Sequence, residues 1–137
     1  PPSDPMILAL LAGLGLFAAA SLVGQAPWLI WTLPGGVAFG NLLIALGGVA
    51  WAWIPLQVNP GGALFLGAGR LTFMLALLWW PLGTYLAGNP NLNFSGGDDS
   101  LLFQRYSVFA GCCVLAMLLS TLILAARTAM LAREEKG

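Results

Sequence analysis

The chain has 137 residues, of which 59% are hydrophobic and 7% are charged, and its mean hydropathy is +0.88. About a quarter of the residues of a soluble domain are charged, so this composition excludes a soluble fold and predicts one integral membrane domain, 1–137. The formal net charge is zero, which removes the electrostatic basis for binding nucleic acid.

Several kinds of chemistry lack the residues that they need. Histidine, the commonest haem and transition-metal ligand and the usual general base, is absent. The two cysteines, Cys112 and Cys113, are adjacent and do not form a CxxC pair. Neither an acidic residue nor a lysine falls within an apolar segment. We therefore expect no catalytic residue, no metal site and no enzyme activity.

The first two apolar segments predict membrane-spanning helices at about 6–25 and 36–55, because about 20 apolar residues cross a bilayer. Between them, Pro27 to Pro34 contains two tryptophans and two prolines and is followed by two glycines, a composition typical of an interfacial loop. The second segment closes at Pro55, before a polar turn.

The third predicted span, 62–85, carries Arg70, which is the only charge between Asp4 and Asp98. A helix that begins near Gly62 places Arg70 about 12 Å along its axis. The chain has no acidic residue at that depth. Arg70 therefore either extends its side chain to the near interface or contacts an anionic group of a lipid or a partner protein.

A hydrophilic loop, 87–101, precedes the fourth predicted span at about 102–130. Asp98 and Asp99 suit the first turn of that helix, where carboxylates meet free N–H groups and the positive end of the dipole. The expected fold is all-α, with four transmembrane helices in one small bundle.

Tryptophan and the basic residues predict how the bundle sits in the membrane. The tryptophans fall near predicted helix ends and are expected to be interface anchors: Trp28, Trp31, Trp51, Trp53, Trp79 and Trp80. Four spans place both termini on one side, and three of the five basic residues lie at the C-terminal end on that side. The positive-inside rule then places both termini in the cytoplasm, stroma or matrix.

Small residues recur at helical spacing in three spans. Because helix association in lipid relies on close packing, they predict helix contacts within the bundle or a face that docks a partner or a flat ligand. The predicted packing positions are Gly36, Gly40, Gly47, Ala68, Thr72, Ala76, Cys112, Ala116 and Ser120. Asn41 is the main polar group of the second span. It either bonds across helices, contacts a lipid or partner, ligates a chlorin magnesium or lines a polar path.

These features favour a small accessory subunit of a larger membrane complex of the respiratory or photosynthetic type. Such a subunit contributes helix packing rather than chemistry. Its expected partners are membrane lipid and other membrane subunits. The bound groups to consider are a lipid, or a chlorin or carotenoid held without histidine. The alternative is a small oligomeric channel or exporter.

Overall fold

The protein forms four long α-helices and one short 3₁₀ helix in a computed structural model that describes residues 4–88 and 101–136. The helices are α1 (Pro5–Val23), a 3₁₀ helix (Pro27–Ile30), α2 (Phe39–Val58), α3 (Gly62–Ala87) and α4 (Leu101–Lys136). The all-α prediction is confirmed, and all four α-helices are long and apolar enough to cross a membrane. Asp98 and Asp99, with most of the predicted loop 87–101, lie outside the described residues.

Local residue chemistry explains where α1 begins. Asp4 is the N-cap, and its Oδ1 accepts a hydrogen bond from the backbone N–H of Met6 at 2.9 Å. Pro5 follows at the first helical position, where its missing N–H costs nothing. From there to Val23, Ser21 is the single polar side chain of the helix.

A compact loop connects α1 to α2, and α2 begins three residues later than predicted. The N–H of Gly36 donates to the carbonyl of Leu33 at 2.9 Å around Pro34 and Gly35. Gly35 has a φ of +98°, so proline followed by a left-handed glycine gives the pattern of a type II turn. Phe39 donates to the carbonyl of Trp31 at 2.7 Å and closes the loop.

Two helices run further than their prolines suggest. α2 continues through Pro55 to Val58 and ends at Asn59, which adopts the left-handed conformation with φ 39°. α3 continues through Pro81 to Ala87. Proline removes one helical hydrogen bond, but neither helix ends there. Because α2 is longer than predicted, Trp51 lies well inside it rather than near its end.

α4 is much longer than the other helices. Its 36 residues extend about 54 Å at 1.5 Å per residue, against a hydrocarbon thickness of about 30 Å. A Cβ at Gly61, next to the start of α3, would lie 3.0 Å from Leu124. The residues of α4 beyond this level, 126–136, are exposed and project past the bundle.

α2 is the central helix, since it packs against α1, α3 and α4. The approach to α1 is close because small residues meet there: a Cβ at Gly47 would lie 2.7 Å from the Cβ of Ala18. α3 packs against α4 through Trp79, whose Nε1 donates to the Oγ of Ser107 at 2.8 Å. The Tyr106 hydroxyl on α4 also donates to the carbonyl of Leu75.

Candidate functional site

A cleft separates α1 from α4, with α2 as its floor. Within the described residues, α1 packs extensively only against α2, whereas α4 packs against α2 and α3. The cleft has two lobes. The loop-side lobe, of about 280 Å³, lies towards the α1–α2 loop and is lined by residues that include Gly15, Ala19, Gly48 and Gly111. The terminal-side lobe, of about 400 Å³, lies towards the start of α1.

Trp51 lines both lobes and separates them. Its Nε1 donates to the carbonyl of Ala12 at 3.3 Å, near the middle of α1. A Cβ at Gly15 would lie 1.8 Å from the same nitrogen, so the indole lies directly over this glycine. The structure thus places Trp51 in the interior between two helices, and not at a helix end where an interface anchor was expected.

The lining of the cleft is almost entirely apolar. Its two hydroxyl groups are already engaged, because Ser107 accepts the hydrogen bond of Trp79 and Thr121 donates to the carbonyl of Met117 at 2.7 Å. An added Cβ at Gly48 or Gly111 would meet no heavy atom within 4 Å, which shows open space at both walls. The described lining can hold an apolar chain and has no group for acid–base chemistry.

Part of the predicted packing set does lie inside the bundle. The residues of this set that are buried are Gly40, Gly47, Thr72 and Ala76. Ala76 packs in one cluster with Ala52 of α2 and Val114 of α4. The Thr72 hydroxyl donates to the carbonyl of Ala68 at 2.9 Å, one turn earlier in its own helix. Gly47 lets α1 approach α2 closely, and the cluster around Ala76 lets α2, α3 and α4 approach one another.

The remaining members of the set are placed elsewhere. Gly36 lies in the loop before α2 with a φ of +83°, outside the helix in which it was predicted to pack. Ala68, Cys112 and Ala116 are exposed, and Ser120 is half-buried. The buried face of α4 consists instead of Phe103, Ala110, Val114, Met117 and Thr121. Residues four apart lie on nearly the same face of a helix. The series from Cys112 to Ser120 lies towards the outer side of α4.

Arg70 is exposed on the outward face of α3. Among the described residues it makes neither an ion pair nor a hydrogen bond. Its outward neighbours are apolar, since Leu71 is 64% and Met74 is 51% exposed. The adjacent Gly69 faces Met117 of α4. Arg70 on α3 is therefore at about the same height in the bundle as Met117 on α4.

Asn41 is fully buried in the first turn of α2. The structure places this amide inside the chain, away from the surface where a lipid or a partner would contact it. The described residues contain no group of three or more His, Cys, Asp or Glu side chains that could hold a metal ion.

The other tryptophans divide into exposed and packed ones. Trp31 is 63% exposed and Trp53 is 38% exposed, and their role as interface anchors stays a prediction. Trp79 is 7% exposed, with its ring centroid 5.8 Å from that of Phe103. Trp80 is half-buried.

Trp28 joins the loop to α1. Its ring stacks on Phe17 at 6.0 Å between centroids, and its Nε1 donates to the Oγ of Ser21 at 3.2 Å. This hydrogen bond satisfies the indole N–H within the protein. At a membrane interface, water or a lipid headgroup would accept that hydrogen bond instead.

A scan against models of protein families and searches of curated proteins and of solved structures find no match to the chain. The residues of the cleft therefore have to be interpreted from their own geometry.

Of the residues that form the cleft, sequence reasoning singled out Trp51, Ala76 and Trp79 for other roles and missed most of the rest. Gly15, Ala19 and Leu22 follow one another at steps of four and three on α1, and Gly48 precedes Trp51 by three on α2. That spacing was available as a signal of facing helix surfaces. The separation of α1 from α4 had no such signal, because it depends on how three helices are arranged around α2.

Proposed function

We propose that the protein is a multi-pass membrane protein that serves as a small accessory subunit of a larger membrane complex. The complex is of the respiratory or photosynthetic type, and both termini lie on its cytoplasmic, stromal or matrix side. The four apolar helices of suitable length support the membrane assignment. The basic end of α4 supports the orientation, because it projects from the bundle on the side where α1 begins.

The exposure of Arg70 carries the proposal. A guanidinium on an apolar outward face, about 12 Å from the start of its helix, is costly in hydrocarbon unless an anion or the interface receives it. Every acidic residue of the chain lies outside the spans. We infer that a carboxylate of another subunit or a lipid phosphate pairs with Arg70.

A second outward surface supports docking in the same way. Cys112 and Ala116 are small and exposed on α4, one helical turn apart, so another helix can approach the backbone closely there. The depths also agree, because Gly69 beside Arg70 faces Met117 beside Ala116. Both surfaces would therefore meet a partner in the same part of the membrane.

The interior of the bundle favours this function over a channel formed by one chain. The buried polar side chains of the described residues are Ser21, Asn41, Thr72 and Thr121. Both threonine hydroxyls donate to carbonyls of their own helices. Ser21 accepts from Trp28. None of these four side chains is charged, so the described bundle has no buried charged path.

Purification from native membranes in mild detergent tests the proposal. The expected result is that other membrane subunits remain bound in fixed ratio to this chain. Isolation of the chain alone, or only with copies of itself, would contradict the proposal and favour the oligomeric channel or exporter. An absorption spectrum of the same sample tests for a bound chlorin, carotenoid or haem.

A further inference from the structure

The loop-side lobe of the cleft is open apolar space within an otherwise packed helix arrangement. Its walls are opened by Gly48 on α2 and Gly111 on α4, where an added Cβ would have no neighbour within 4 Å. Atoms that line an empty space lose their dispersion contacts on that side, and protein interiors are normally close-packed. A molecule from the surroundings is therefore expected to fill the lobe.

We propose that the loop-side lobe binds one acyl chain of a membrane lipid. This inference rests on the membrane insertion that forms part of the proposed function. Because α1 and α4 lack extensive packing against each other in the described chain, the lobe opens sideways towards the lipid tails. Those tails surround the protein at a concentration that no soluble ligand reaches.

The size of the lobe selects a single chain over a protein helix. The lobe holds about 280 Å³. The lobe is about 10 Å long, and a helix about 10 Å across displaces on the order of 800 Å³ over that length. A partner helix can therefore cover the opening but cannot enter the lobe.

Trp51 selects against a long rigid ligand. The indole lies between the two lobes at the level of Gly15, near the middle of α1. From Leu22, at the other end of the lobe, to Gly15 is about 10 Å along the helix. A rigid polyene as long as the membrane is thick does not fit that length. A flexible tail can enter through the sideways opening and lie along the lobe as far as Trp51.

The chemistry of the lobe predicts recognition of the chain and not of the headgroup. Among the described lining residues Ser107 supplies the only hydroxyl, and its Oγ already accepts the Trp79 hydrogen bond. Arg70 is on the outward face of α3 and does not line the lobe. Lipids that share a tail but differ in headgroup should therefore bind alike.

Photochemical labelling in phosphatidylcholine nanodiscs tests the inference. A few per cent of the lipid carries a diazirine in the middle of one acyl chain, and the adducts are mapped by mass spectrometry. The protein is reconstituted with any subunits that purify with it. We expect adducts at Ala19 and Ala45, which line the lobe, as well as at Leu10, which is 67% exposed outside it.

Filling variants provide the decisive comparison. Gly48→Leu and Gly111→Leu occupy the lobe from opposite walls, whereas Gly13→Leu adds the same side chain in open space outside the cleft. Both filling variants should reduce labelling at Ala19 and Ala45 to the level without irradiation. The Gly13→Leu control should label like the wild type.

Three results would overturn the inference. The first is unchanged labelling of the lobe in both filling variants. The second is the absence of lipid adducts from the lobe of the wild type. Crosslinking of the lobe to another protein in place of lipid counts as the same result. The third is loss of folding in both filling variants, which would contradict the open space at Gly48 and Gly111. Absence of adducts at Leu10 as well would instead contradict membrane insertion, and with it the proposed function.

Discussion

The indole of Trp51 covers Gly15, and a Cβ at that glycine would lie 1.8 Å from Trp51 Nε1. The same nitrogen donates to the carbonyl of Ala12, so α1 and α2 are joined at mid-height by a contact that requires glycine. Because Trp51 also separates the two lobes of the cleft, this contact determines both the packing of α1 and the shape of the lobe.

Gly15→Ala should destabilise the protein by about 1–3 kcal/mol, because overpacking forces the indole and the helix apart. The loss should be much smaller in a Trp51→Leu background, where the clashing ring is gone. Gly13→Ala is the matched control, since its Cβ would meet no atom within 4 Å. Thermal unfolding in detergent compares the wild type, the two single variants, the double variant and the Gly13→Ala control. An equal cost of Gly15→Ala in both backgrounds would disprove the contact.

The neighbouring glycines Gly47 and Gly48 should respond differently to alanine. A Cβ at Gly47 would lie 2.7 Å from Ala18, whereas one at Gly48 would meet nothing. Gly47→Ala should therefore lower the melting temperature. Gly48→Ala should leave it unchanged or raise it by the equivalent of up to about 1 kcal/mol, through the higher helix propensity of alanine. The packing assignment fails if both variants melt alike.

These contacts show which parts of the structure could be predicted from the sequence alone. Hydropathy was sufficient for four helices, because each span must be apolar along its length. The spacing of small residues predicted the wrong inward face for α4, because Cys112 and Ala116 on the exposed side are about as small as Ala110 on the buried side. Hydropathy also placed Trp51 near a membrane surface, because Pro55 suggested that α2 ends three residues earlier than it does. The cleft depends on the relative placement of α1 and α4, which no single segment encodes.

Cysteine labelling from outside intact membranes should distinguish the two sides of the bundle. In a background with Cys112→Ala and Cys113→Ala, the test positions are Pro34→Cys in the α1–α2 loop and Lys136→Cys at the end of α4. An impermeant maleimide should label the loop position alone, because both termini are expected on the side of the basic residues. Labelling of Lys136→Cys alone would reverse the orientation, and equal labelling of both would contradict the four-span topology.

Arg70 variants should separate a specific ionic contact from simple extension to the interface. A guanidinium forms paired hydrogen bonds to carboxylate or phosphate that an ammonium cannot reproduce. Arg70→Lys should therefore be partly defective and Arg70→Leu more so, although leucine favours insertion. The measurements are the amount of protein retained in the native complex and the amount of lipid that co-purifies. If Arg70 only extends its side chain to the interface, Arg70→Lys should match the wild type in retained protein and co-purified lipid, and Arg70→Leu should lower neither amount.

Site-specific photo-crosslinking in native membranes tests the accessory-subunit function most directly. A photoreactive amino acid replaces Met74, which is exposed one turn from Arg70 on α3, or Leu10, which is exposed on α1. We expect Met74 to crosslink to a different membrane protein and Leu10 to give lipid adducts, with the Met74 product reduced by Arg70→Leu. If Met74 gave only lipid adducts, or only adducts with other copies of this chain, the proposed docking to a larger complex would be contradicted.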